Sequence, residues 1–182
     1  MSILVTGGAR SGKSGFAEKL MHSLADQAFY VATGQAFDDE MKERIALHQH
    51  QRMESGYAWE TLEEPYDLPD LLKRLSGEKA VLVDCLTLWL SNALLAVEGF
   101  ENRQELVESE ITRLEDSVRS FQGTLILVTN EVGDGFVPEY ALGRLYRDLA
   151  GRMNALIARQ CEQVFLVTVG IPIELKSREY RL

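Results

Sequence analysis

The chain of 182 residues is poor in several features that would point its function elsewhere. It has two cysteines, Cys85 and Cys161, each alone in an apolar stretch and without C-x-x-C spacing. A disulfide framework or a thiolate metal site is therefore not expected; two buried thiols in a reducing cytoplasm are. Basic residues are also scarce, with 19 lysines and arginines against 28 aspartates and glutamates, a net charge of −9. A nucleic-acid partner normally leaves a basic footprint, and this balance argues against one. The longest apolar run, Leu86–Val97, is interrupted by Thr87, Ser91 and Asn92. It is too short to cross a bilayer, so no membrane span is expected. No signal-peptide pattern precedes the first apolar run. Internal repeats, linkers and low-complexity tracts are missing, as is the N-K-x-D guanine motif of switch GTPases. The expectation is one soluble, cytoplasmic domain over residues 1–182, with enough chain for a single buried core.

What the chain does have stands at its start. The apolar run Ile3-Leu4-Val5-Thr6 leads into Gly7-Gly8-Ala9-Arg10-Ser11-Gly12-Lys13-Ser14, which matches G-x-x-x-x-G-K-[ST] without a mismatch. Such a loop aims several backbone N–H groups into one concavity at a helix N-terminus, where a phosphate fits. Lys13 reaches the β- and γ-phosphates, and the Ser14 hydroxyl can join the shell of Mg²⁺. The setting agrees, because the preceding run reads as a strand and Gly15–Leu24 reads as a helix. Net negative charge does not oppose this site, since local dipoles and one lysine govern it.

Further along, strands and helices alternate. Strands are expected at Phe29–Ala32, Ala80–Asp84, Thr124–Thr129 and Val164–Val169, with a short edge strand in the tail Ile171–Leu182. A helix opens at Asp38-Asp39-Glu40, whose acidic first turn suits the helix dipole. Another starts at Asp67 with Pro69 and runs through Leu68, Leu71, Leu72 and Leu75 to Ser76-Gly77-Glu78-Lys79. Leu86–Val97 reads as a sandwiched helix. Leu106, Ile111, Leu114, Val118 and Phe121 mark an amphipathic helix, and Leu142 to Ile157 mark a last long one. This alternation predicts an α/β sandwich with a mainly parallel sheet covered on both faces.

In such a sheet ligands gather outside the carboxyl ends of the strands. That rule selects Thr33-Gly34, Asp84 and Asn130-Glu131. Asp84, closing an apolar strand, can hold Mg²⁺ as a Walker B carboxylate or cap the helix that follows; both readings stand. Asn130 and Glu131 can orient a substrate, sense a γ-phosphate or build a turn. His22 lies near the negative pole of the first helix, where a histidine is stabilised without a function. His48 shares a helical stripe with Met41 and Ile45 and has Arg44 and Arg52 one turn to either side. It suits a nucleophile on phosphorus, although spacing by itself favours an ordinary half-exposed helix histidine. His50, two residues on, points about 200° away on a helix.

These segments together resemble the bifunctional adenosylcobinamide kinase / adenosylcobinamide-phosphate guanylyltransferase family of cobalamin biosynthesis. The resemblance covers nearly the whole chain. It rests on Ile3–Ser14, Asp38-Asp39-Glu40-Met41, Arg44-Ile45 with His48 and Arg52, and Val128-Thr129-Asn130-Glu131-Val132-Gly133 with Val137-Pro138-Glu139. It implies a RecA-like P-loop NTPase fold, a three-layer sandwich, assembled as a homotrimer. It also implies phosphorylation of adenosylcobinamide with GTP or ATP, followed by transfer of GMP from GTP to adenosylcobinamide phosphate through a guanylyl-histidine. By the Arg-Ile-x-x-His pattern the nucleophile is His48, acting with Lys13. Implied nucleotide positions are Gly7–Ser14, Ala32, Thr33, Gly34, Gln49, His50, Gln51, Arg52, Glu63 and Asp84, with Ser14 and Asp84 on Mg²⁺. The alternative reading is a P-loop small-molecule kinase without guanylyl transfer.

Overall fold

Seven strands form one sheet: β1 (Ser2–Thr6), β2 (Gln27–Ala32), β3 (Ala58–Glu63), β4 (Ala80–Asp84), β5 (Leu125–Val128), β6 (Gln163–Thr168) and β7 (Ile171–Glu174). The computed structural model describes residues 1–35, 39, 43, 46, 50 and 52–180. The strand order is β3-β2-β4-β5-β1-β6-β7, parallel throughout except for the antiparallel pair β6–β7. The helices that lie wholly within the described residues are α1 (Lys13–Leu24), α2 (Leu68–Leu75), α3 (Leu86–Ala96), α4 (Arg103–Ser120) and α5 (Ala141–Gln160), with a 3₁₀ turn at Lys176–Arg178.

Period-two alternation explains why the central strands read as unbroken apolar runs. Ile3, Val5, Leu82, Ile126 and Val128 turn to one face and pack with Ala17 and Met21 of α1. Leu4, Val81, Val83, Leu125 and Leu127 turn to the other, against Leu72 of α2, Leu90 of α3, Leu114 of α4 and Met153 of α5. Both faces are dry, so neither set can be polar. Register lines up the rows: Ile126 stands opposite Ile3 and Leu82, and Leu127 opposite Leu4 and Val83.

The helices follow the sequence pattern closely. In α4 the buried stripe is Val107, Ile111, Leu114 and Val118, headed by Val107 rather than Leu106. Pro69 sits in the first turn of α2, where its missing N–H leaves no bond unmade. Helix α3 is the sandwiched one and carries two buried polar ties. Trp89 Nε1 donates to the Tyr66 carbonyl at 2.8 Å, and Asn92 Nδ2 donates to Thr33 O at 2.8 Å and Pro65 O at 3.0 Å.

One strand escaped the sequence pattern. In β3, Ala58-Trp59-Glu60-Thr61-Leu62-Glu63, only Trp59 and Leu62 are even half-buried. An edge strand pairs on one side only and needs no continuous apolar run, so nothing but Trp59 marks it. The helix expected from Asp38 is seen in part: residues 39, 43, 46, 50 and 52–54 are helical. Asp38, Glu40, Met41, Arg44, Ile45, His48, Gln49 and Gln51 lie outside the described residues. Both cysteines are free and buried, and burial pushes their thiols up to about 11 at Cys85 and about 12 at Cys161. Among the described residues no helix is long and apolar enough to cross a membrane.

The C-terminal end is held by Glu174. Its carboxylate accepts the Val164 and Lys176 amides, each at 3.1 Å, and the Ser177 amide at 2.6 Å. Hydrogen bonds from Ser177 foremost, with the other amides, hold its carboxyl at about 2 instead of 4.5. A depressed folded-state pKa stabilises fully above the ordinary value and is lost as pH falls through the folded one. Amide exchange across residues 163–178, corrected for intrinsic rate, should therefore lose protection between pH 4.5 and about 2. Glu174→Gln should show weak, pH-independent protection there; a wild-type-like profile in that variant would remove Glu174 from this role.

Candidate active site

Because the strands from β2 to β6 run the same way, their carboxyl ends share one edge, and the loop Gly7–Ser14 leaves β1 in the middle of it. Gly12 (φ 93°) occupies the N-cap of α1 in the left-handed region, with no side chain to block the first N–H groups of the helix. No acidic residue offsets the positive pole in that first turn. Gly7 answers a different demand: a Cβ there would collide with the Val167 carbonyl oxygen and stand 2.7 Å from Ser11 Oγ. The loop is tied on both flanks. Glu131 N donates to Gly7 O at 3.2 Å from the β5 side, and Gly170 N donates to Ser11 O at 2.9 Å from the β6–β7 turn. Lys13 Nζ reaches Gly8 O at 3.2 Å across the loop.

Asp84 ends β4, with β5 between it and β1. The cap position of α3 belongs to Cys85, so Asp84 is not the helix cap that its place before Leu86 allowed. Its Oδ2 instead accepts the Tyr30 hydroxyl at 3.2 Å. Thr33 is fully buried and locks the ends of β2 and β4 together. Its Oγ1 donates to Cys85 O at 2.7 Å and accepts the Cys85 amide at 2.9 Å. Ala32 pairs with both Asp84 and Glu63, which places Glu63, exposed, at the same sheet edge.

The two readings of Asn130-Glu131 separate. Glu131 Oε1 accepts the Gly133 amide at 2.7 Å and so builds its own turn. Asn130 Nδ2 donates to Thr87 Oγ1 at 3.1 Å, while its Oδ1 is buried and, among the described residues, has no hydrogen-bond partner. Ser11 Oγ and Thr6 Oγ1, in and just before the phosphate-type loop, are buried and unpartnered in the same way. Buried polar atoms seldom stay unpaired, so their concentration at this edge marks it as a place built for a polar ligand.

A second cluster lies behind Asp84. Arg52 is only 5% exposed, and its Cζ stands 3.6 Å from the centroid of the Tyr30 ring. Burial raises the Glu18 carboxyl pKa, with Arg52 lowering it and Asp84 raising it further. Burial, and then Asp84, push the Tyr30 hydroxyl well up. Glu18, Tyr30, Arg52 and Asp84 thus share one buried electrostatic neighbourhood. Tyr30 and Glu18 were not singled out from sequence. The available signal is a tyrosine inside an apolar strand, whose hydroxyl needs a partner when buried.

The histidines part company. His50 is exposed and pairs with Glu54 at 3.3 Å, on a surface face. His22 stacks on Tyr57 at 4.2 Å, and burial lowers its pKa, contrary to the stabilised charge its helix-end position suggested. Among the described residues no group of three or more His, Cys, Asp or Glu could hold a metal. A hydroxyl at Ser14 and a carboxylate at Asp84 beside a phosphate loop nevertheless suit Mg²⁺, which keeps waters and shares substrate oxygens.

A glycine-rich loop leaving an interior strand, with an acid-ended strand separated from it by β5, defines a P-loop nucleotide-binding α/β protein. Solved structures agree on the fold: an ATPase from the type III secretion system of pathogenic bacteria (TM-score 0.54, 12% identity) covers 99% of this chain and 58% of its own. The P4 protein of bacteriophage phi6, in complex with ADP (TM-score 0.50, 13% identity), covers 94% and 52%. Within that class, the chain belongs to the cobinamide kinase / cobinamide phosphate guanyltransferase family, whose model matches residues 3–175. It is 38% identical to the bifunctional adenosylcobalamin biosynthesis protein CobU of Escherichia coli K12, over 97% of this chain and 100% of that one. It is 42% identical to the corresponding CobP of Pseudomonas aeruginosa, over 97% and 98%.

Close approach makes Gly7 the most sensitive position of the loop. Gly7→Ala should destabilise the fold by about 1–3 kcal/mol through overpacking. Gly8→Ala, with nothing within 4 Å of its Cβ, should stay within roughly 0.5 kcal/mol of wild type. Urea unfolding measures both, and equal losses would show that the Val167 contact is not what demands glycine.

Proposed function

We propose that this chain acts as one catalytic unit that phosphorylates adenosylcobinamide with GTP or ATP and then transfers GMP from GTP to the resulting phosphate, giving adenosylcobinamide-GDP. The observation that carries this reading is the family match over residues 3–175, joined to a P-loop whose flanks are tied to the loops after β5 and β6. Gly7–Ser14 cradles the phosphates, and Lys13 meets the charge that grows on the β–γ bridge. Ser14 and Asp84 would hold Mg²⁺, which neutralises phosphate charge when bound. Ala32, Thr33, Gly34, Gln49, His50, Gln51, Arg52 and Glu63 complete the nucleotide side, Thr33 by locking the strand ends behind it, since its side chain is committed to Cys85 and its carbonyl and amide to Asn92 and Asp84.

Guanylyl transfer runs in two displacements. Neutral His48 attacks the α-phosphorus, so an N–P bond forms as the bond to pyrophosphate breaks. The phosphate of the second substrate then attacks the same phosphorus, and the P–N bond breaks with its electron pair returning to the imidazole. Kinase chemistry asks less of the protein, chiefly the positioning of an alcohol against the γ-phosphate. We further propose a cytoplasmic homotrimer. Two free thiols suit that compartment. The edge strand β7 leaves Ile171 and Ile173 exposed, as an assembling surface would. Sedimentation should give three times the chain mass.

His48→Ala should lose the covalent GMP adduct and guanylyl transfer while keeping kinase turnover. His50→Ala should keep the adduct and weaken GTP binding only slightly, in keeping with its exposed pairing to Glu54. Intact mass after GTP and Mg²⁺ reads the adduct directly; its presence in the His48 variant and loss in the His50 variant would reassign the nucleophile. Absence of any adduct in wild type would leave the plain kinase reading.

Lys13→Ala should lower both activities by roughly 10²–10³-fold with little change in unfolding midpoint, because one charged donor to the transferring phosphates is gone. A kinase rate unchanged by this substitution would take the loop out of the mechanism.

A further inference from the structure

Tyr30 touches both halves of the site and has been given no part in either. It lies in β2, two residues before the strand ends, and is 4% exposed on the α1 face of the sheet. Its hydroxyl donates to Asp84 Oδ2 at 3.2 Å. One face of its ring carries the Arg52 guanidinium, with Cζ 3.6 Å from the centroid. The ring cannot easily swing away, because Trp59 meets it edge-on at 5.7 Å and 88°. Trp59 is itself backed by Tyr57 at 4.7 Å, whose hydroxyl is bonded to Ala25 O at 2.9 Å.

What hangs on Arg52 gives this contact its meaning. Among the described residues between 36 and 56, Arg52 alone is buried; residues 39, 43, 46, 50 and 53–56 are all exposed. Ser55 Oγ and N both donate to the Arg52 carbonyl, at 2.6 and 3.2 Å, closing the helical turn there before the chain moves into β3. His48 stands four residues before Arg52 in the chain. A buried guanidinium must keep its compensating partners, here the Tyr30 ring and the nearby Glu18 and Asp84, so it resists withdrawal. The Tyr30 ring is therefore the seat on which Arg52 is held against the sheet.

We infer that Tyr30 is a positioning residue that couples the two chemistries: its hydroxyl aims Asp84, and its ring seats Arg52, four residues after His48 in the chain. The inference rests on the reading of His48 as the guanylyl acceptor. It assigns the hydroxyl to both activities and the ring to guanylyl transfer, and two substitutions separate them. Tyr30→Phe removes only the hydroxyl. Tyr30→Leu removes the ring as well.

The test compares wild type, Tyr30→Phe and Tyr30→Leu, each confirmed as folded by its thermal midpoint. Tyr30→Phe should weaken the Mg²⁺-dependent part of GTP affinity and lower both activities by about tenfold, the loss expected when a hydrogen bond to a charged group goes. Its amide exchange over residues 50–56 should match wild type. Tyr30→Leu should show the same loss in kinase rate, a further fall of about tenfold in GMP adduct formation, and faster exchange over residues 50–56. Matching adduct rates and matching exchange in the two variants would overturn the role of the ring. Wild-type Mg²⁺ dependence in Tyr30→Phe would overturn that of the hydroxyl. If wild type forms no GMP adduct, the guanylyl-histidine reading fails, and the exchange comparison, which needs no nucleotide, still decides whether Tyr30 seats Arg52.

Discussion

Ile3, Ile126 and Leu82 stand side by side across three parallel strands, with Leu4, Leu127 and Val83 in register on the opposite face. The site depends on these two rows. A slip of one residue in any of the three strands would turn apolar side chains out of one core and into the wrong layer, so register is strongly specified. Fixed register sets where the strands end at Thr6, Val128 and Asp84, and with them where the phosphate-type loop and the Asp84 carboxylate sit along one edge. Every later feature of the edge, from the Thr33 lock to the Glu131 turn, is placed by that alignment.

Charge works on two scales in this molecule. The surface is acidic, with a net charge of −9, and its ion pairs are at least partly solvent-exposed. Arg113, which meets Asp70 at 2.9 Å and Glu110 at 2.8 Å, belongs to that group. Pairs of this kind contribute roughly 0–1 kcal/mol each. Arg52 belongs to the other scale. Held at 5% exposure against an aromatic ring, it is a charge whose partners cannot be removed without a large penalty. An acidic chain can bind polyphosphate because the loop answers with backbone N–H groups, a helix pole and one lysine, which net charge does not report.

The sequence was most legible where one residue type has one physical use. Three glycines and a lysine at P-loop spacing, after an apolar run, leave few alternatives, and the apolar strands β1, β4 and β5 lie where their composition placed them. It was least legible at the open edge of the sheet. β3 pairs with a single neighbour, carries charge on both sides of Thr61 and looks like a loop. Asp84 was ambiguous for a different reason: an acid before a helix can cap it or face a ligand, and only the observed cap at Cys85 separates these.

By itself the sequence determined the phosphate loop, the parallel α/β architecture and the family, because each depends on local spacing or on patterns repeated along the chain. Tertiary structure alone decided that Tyr30, Arg52, Glu18 and Asp84 meet. These residues come from α1, β2, β4 and the helical residues before β3, and no local rule links them. Their meeting follows from strand order, which sets β2 between β3 and β4 and brings the Tyr30 hydroxyl within 3.2 Å of Asp84. Contacts between residues far apart in the chain are fixed by how the layers stack, and that is a property of the whole fold.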